Sequence, residues 1–89
     1  MSFEPGDGWV FTPRAMRDMR RLDRPVQRRI VEALDRLVGD PPVGDVVRLV
    51  GSDDEWRLRV GDWRVRFTRD DEQLILVTRV LPRGRAYRD

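Results

Sequence analysis

The chain has 89 residues, with no cysteine and no histidine, and every one of its 18 basic residues is arginine. Without cysteine there is no disulfide framework, no thiolate nucleophile and no thiolate zinc site. Without histidine there is no Ser–His or Cys–His pair and no imidazole metal ligand. Without lysine there is no amine that can give up its proton, because arginine keeps its charge at any working pH. No metal or other cofactor is therefore expected. No stretch approaches the roughly 20 consecutive apolar residues of a membrane span, so no membrane association is expected. The opening residues from Met1 to Gly8 lack the basic and apolar regions of a secretory signal. A cytoplasmic location is the default expectation.

What remains is a small, highly charged chain. Charged residues make up 38% of it, yet the formal net charge is only +2. The isoelectric point near 10.3 reflects the use of arginine rather than a strong overall basic field. Charge must therefore be read by position. The length allows one core, so a single domain over residues 1–89 is expected, with its folded part running from about 9 to 88.

Residues 55–67 organise the rest. They alternate apolar and charged side chains on both sides of Gly61-Asp62, the period-two pattern of strands with one buried face. Glycine at the first position of a two-residue loop fits a type II′ hairpin turn. Val60 should then face Trp63, Leu58 face Val65, and Trp56 face Phe67, making one apolar surface. The other surface should carry Arg59 opposite Arg64 and Arg57 opposite Arg66. Like charges directly opposed across strands are destabilising, so these four arginines call for an anion: an internal carboxylate, a partner's carboxylate, or a phosphate. Arg57 and Arg59 have Asp53, Asp54 and Glu55 as nearby candidates, Arg66 could pair with an acidic neighbour, and Arg64 could serve the fold instead.

Upstream, Trp9 to Thr12 reads as a short strand. Thr12-Pro13 then starts a helix expected to run to about Leu22, with Met16, Met19 and Leu22 on one stripe. Asp23-Arg24-Pro25 starts a second helix, to Val38, with Val26, Ile30, Leu34 and Leu37 at helical spacing. Joined almost without a loop, the two should form an αα-hairpin. Its exposed arginines read most simply as a solvated face. Residues 39–45 form a loop, Val46 to Val50 a strand, and residues 69–72 a polar turn. Residues 73–80 are nearly continuously apolar, as expected of a central strand covered on both faces and stopped by Pro82. The order predicts an α+β fold, with an N-terminal strand and αα-hairpin packed on one face of a twisted, mainly antiparallel sheet.

Leu49-Val50-Gly51, the arginine hairpin and the tail Arg83-Gly84-Arg85-Ala86-Tyr87-Arg88 together resemble the RelE/ParE superfamily of bacterial toxin–antitoxin modules. Phe11-Thr12-Pro13-Arg14-Ala15 and Leu37 to Pro41 extend the similarity, which runs from about Trp9 to Arg88. The resemblance implies two helices on an antiparallel sheet and a cognate antitoxin partner. It also implies one of two targets: mRNA in the ribosomal A site, cut by RelE-like members, or DNA gyrase, inhibited by ParE-like members. A degenerate homologue that only binds antitoxin is a further alternative. For RelE-like cleavage the implied catalytic residues are Arg57, Arg59, Arg64, Arg83 and Tyr87, with Arg66, Arg85 and Arg88 binding RNA and no metal taking part. The chain departs from that branch in having arginines where lysines are common and Pro82 where a histidine is common. Antitoxin could cover the apolar helical stripe or the arginine face.

Overall fold

The alternation and helical spacing resolve into five strands and two helices in the computed structural model, which describes residues 8–51 and 54–84. In chain order these are β1 (Trp9–Phe11), α1 (Pro13–Arg20), α2 (Arg24–Leu37), β2 (Asp45–Arg48), β3 (Glu55–Val60), β4 (Trp63–Arg69) and β5 (Ile75–Pro82). The strands form one sheet in the order β1-β5-β4-β3-β2. Only β1 against β5 is parallel, and the other pairs are antiparallel, so the α+β fold is the one expected.

Helix starts follow the side-chain chemistry of their first residues. Thr12 Oγ1 accepts from the Ala15 amide at 3.1 Å, and Pro13 takes the first turn, where its missing N–H costs nothing. Asp23 Oδ1 accepts from the Val26 amide at 3.1 Å and starts α2 in the same way. α1 stops at Arg20, a turn-half short of the expected Leu22, because the cap of α2 follows at once. The side-chain amide of Gln27 bridges that break, donating to the carbonyls of Met19 at 2.8 Å and Leu22 at 3.0 Å. The Met19 carbonyl also accepts from the Leu22 amide at 3.1 Å, so Gln27 adds a second donor there and gives the Leu22 carbonyl its own.

The hairpin register is as read from the sequence: Val60 pairs with Trp63, Leu58 with Val65, and Trp56 with Phe67. Gly61 has φ +57°, the glycine-favouring conformation a tight hairpin turn requires. Leu58, Val65 and Phe67 are buried with Ala15, Met19, Ile30 and Leu34 from the helices, and Trp9, Val77 and Val80 join the same core. Burying a side chain such as Phe67 or Leu34 contributes about 1.5–3 kcal/mol each. The centre of the apolar helical stripe is consequently internal, with Ala15, Met19, Ile30 and Leu34 fully enclosed, while Met16, Leu22 and Val26 along it are half-buried.

Two strand expectations need correction. β2 ends at Arg48 rather than Val50, and Val50 is fully exposed in the following turn. β5 runs from Ile75 to Pro82 and is not covered on both faces, since Leu76 is 37% exposed. It lies one strand from the edge, and β1 pairs only with Ile75, Leu76 and Val77. Beyond that point α1 lies along the strand. Asp18 accepts from the Val80 amide at 2.9 Å, satisfying a ladder donor that no strand reaches.

Candidate anion-binding site

The opposed arginines are present as expected: Arg59 pairs in register with Arg64, and Arg57 with Arg66. A register shift between Arg66 and Phe67 then brings Arg79 opposite Arg66. Arg57, Arg66 and Arg79 therefore form a row of three like charges across β3, β4 and β5.

Acidic side chains divide that row. Arg66 Nη2 donates to Glu55 Oε2 at 3.0 Å, and the Arg66 side chain is only 11% exposed. Arg79 Nε donates to Asp18 Oδ2 at 2.9 Å. Glu55, Arg66 and Arg79, with Thr12, Arg14 and Thr78, line a polar cavity of about 330 Å³ at the start of α1. Arg57 is half-buried.

Arg64 takes the structural alternative. It is buried, and its Nη1 donates to the carbonyls of Gly61 at 2.8 Å and Trp63 at 3.0 Å. Its register partner on β5, Leu81, is buried as well. Arg64 braces the β3–β4 turn and does not project from an open surface. The face is thus not four free arginines.

What stays open lies at the turn end. Arg59 has a 57% exposed side chain and only a loose ion pair, 3.7 Å from Asp45 Oδ2. Arg83 is exposed, and its backbone amide donates to the Asp62 carbonyl at 2.8 Å, which fixes it beside the same turn. A planar guanidinium can grip two oxygens of a phosphate or carboxylate at once. Two exposed guanidinium groups thus stand beside a turn braced by a third. Arg85, Tyr87 and Arg88 lie outside the described residues. Among the described residues no cluster of three or more carboxylates could hold a metal ion, and no helix is long and apolar enough to cross a membrane.

The counter-ions Asp45 and Asp18 were not foreseen. Asp45 meets Arg59 through the β2–β3 register, which spans a loop and cannot be read locally. Asp18 looks like one more charge on a solvated helix. Its only signal is that β5 outruns β1.

Residues 10–87 match the family described as the ParE toxin of the type II toxin–antitoxin system, parDE. The chain belongs to this family. Solved structures agree. The archaeal RelE–RelB complex from Pyrococcus horikoshii contains a chain 28% identical, with TM-score 0.70, covering 88% of this chain and 96% of that one. The toxin–antitoxin complex RelBE2 from Mycobacterium tuberculosis contains one 28% identical, with TM-score 0.54, covering 84% and 95%. The RelB–RelE antitoxin–toxin complex from Methanococcus jannaschii, at 20% identity and TM-score 0.73 over 89% and 95%, shows the shared fold. No curated protein sequence matches the chain. The RelE/ParE resemblance read from the sequence and the toxin fold it implied both hold.

Proposed function

We infer that this toxin is neutralised by a cognate antitoxin and acts on mRNA in the ribosomal A site as a metal-independent endoribonuclease. The observation that supports cleavage is the exposed pair Arg59 and Arg83 at the braced β3–β4 turn. The antitoxin is supported by the similarity to toxins solved as RelE–RelB complexes.

In metal-free cleavage the RNA 2′-oxygen attacks the adjacent phosphorus, the bond to the 5′-oxygen breaks, and a 2′,3′-cyclic phosphate remains. One proton leaves the 2′-hydroxyl and one reaches the departing 5′-oxygen. Charge builds on the phosphoryl oxygens in between, and preorganised cations aimed at that charge are often the largest catalytic contribution. Arg59 and Arg83 fill this role, and Arg64 braces the turn beside which they stand. Arg57 lies beside Arg59 on β3. Arg66 holds Glu55 and lies close enough in the sheet to extend the cationic row. We assign proton transfer to Tyr87, and RNA contacts to Arg85 and Arg88, which follow Arg83 in the chain. Purified toxin added to translating ribosomes should cut mRNA, and Arg59→Ala or Arg83→Ala should abolish the cut without unfolding the protein. Intact mRNA at high concentrations of folded toxin would sink this reading.

A second reading is favoured by the engagement of Arg64 and Arg66 within the fold. A toxin whose arginines serve structure has less to offer a scissile phosphate, and could instead inhibit DNA gyrase without cutting RNA. Loss of supercoiling activity alongside intact ribosomal mRNA decides for it.

A further inference from the structure

Between residues 17 and 29 the chain carries six arginines against two aspartates, a formal +4 in a chain whose total is +2. As sequence this looks like a mixed-charge face. The structure removes one acid from it. Asp18 is turned inward onto Arg79 and the Val80 amide, while Asp23 stays exposed as the cap of α2, the one carboxylate left among the six arginines. Arg17, Arg20, Arg21, Arg24, Arg28 and Arg29 are all exposed, and none forms an ion pair among the described residues. Several stand three or four residues apart on one helix, where like charges weaken it. The fold keeps a cap with a large cationic excess at its own expense.

The cap is continuous with the candidate anion site. α1 runs along β5 in the direction of Arg83, so the α1–α2 junction lies at the end of the sheet that holds the Gly61 turn. The guanidinium of Arg29 lies beside Gly61, 3.9 Å from where a Cβ there would stand. The acidic turn Asp70-Asp71-Glu72 closes the opposite end of β4.

We propose that the α1–α2 cap is a docking surface for double-helical RNA, held through its phosphate backbone. Its composition selects the partner. A protein partner needs an apolar or aromatic anchor at the centre of its interface, and the large exposed apolar residues, Val43, Val47, Val50 and Leu76, all lie off the helices. Single-stranded nucleic acid is held by aromatic stacking, and neither helix contains an aromatic residue. A duplex backbone needs only spaced cations, and RNA duplexes are recognised mainly by phosphate and shape. The choice of RNA over DNA rests on the mRNA-cleaving reading above; the charge argument does not.

The test uses the full chain and a fluorescently labelled RNA hairpin, with a DNA duplex of equal length as the comparison. Binding is followed by anisotropy between about 50 and 200 mM salt. The triple variant Arg20→Gln, Arg24→Gln, Arg28→Gln keeps good helix formers at all three positions. Its affinity should fall about tenfold or more, and the slope of log affinity against log salt should drop by about 3, one for each lost phosphate contact. Wild-type affinity and slope in a variant with unchanged circular dichroism would overturn the proposal, as would tighter binding of the DNA duplex. Ribosomal mRNA cleavage by the same preparations separates the two claims. Wild type that binds the RNA hairpin without cutting mRNA keeps the docking surface and removes the nuclease reading. Cleavage by a triple variant that still binds like wild type does the reverse.

Discussion

Asp18 and Arg79 meet across the open edge of the sheet, with Asp18 Oδ2 accepting from both Arg79 Nε and the Val80 amide at 2.9 Å. Both side chains are at most 15% exposed. One carboxylate thus completes the β5 ladder, neutralises the Arg66–Arg79 end of the arginine row and anchors α1. Asp18→Ala would leave a largely buried guanidinium and an orphan amide, at a cost of about 3–5 kcal/mol. Asp18→Asn retains an oxygen acceptor and should lose less. Urea denaturation of the two variants measures the difference, and equal stability of Asp18→Ala and wild type would contradict this account.

Much of this fold was legible because its signals are local. The hairpin register follows from alternation about Gly61-Asp62, and both helix starts follow from Thr12-Pro13 and Asp23-Arg24-Pro25. The site was less legible because its chemistry is set by non-local partners. Alternation placed Arg64 and Arg66 on the second sheet face, but could not show that Arg64 folds back on its own turn or that Glu55 takes Arg66. Likewise, an apolar run in residues 73–80 does not tell a fully covered strand from one whose Leu76 is exposed.

Arg59 and Arg64 are register partners with opposite roles. Arg59 is well exposed and 3.7 Å from Asp45, so Arg59→Ala should change stability by less than about 1 kcal/mol. Arg64→Ala removes two charged hydrogen bonds that brace the turn, and should cost about 3 kcal/mol. At about 4–8 °C per kcal/mol for a domain of this size, thermal melts resolve the two cases. A large drop in melting temperature for Arg59→Ala would refute the assignment of roles.

Glu55 is the internal anion that occupies Arg66. Glu55→Gln keeps the shape and removes the charge, leaving Arg66 between Arg57 and Arg79 with less compensation. Stability should fall by about 1–3 kcal/mol, since one member of a largely desolvated pair is lost. Anion affinity should rise, because the row gains a formal positive charge. Calorimetric titration with inorganic phosphate checks the second effect; unchanged or weaker binding would mean that the row takes no anion.

Gln27 ties the end of α1 to the start of α2 through the Met19 and Leu22 carbonyls. Gln27→Leu matches it roughly in volume but donates nothing, so the Leu22 carbonyl loses its donor while the Met19 carbonyl keeps the Leu22 amide. Leaving such an acceptor unsatisfied costs about 1–3 kcal/mol. The loss should concentrate at the junction, where Arg20, Arg21 and Arg24 stand. Hydrogen exchange should therefore speed up for amides of the last turn of α1 and the first turn of α2 while the β4 and β5 amides stay protected. Uniform acceleration over the sheet would show instead that Gln27 supports the whole core.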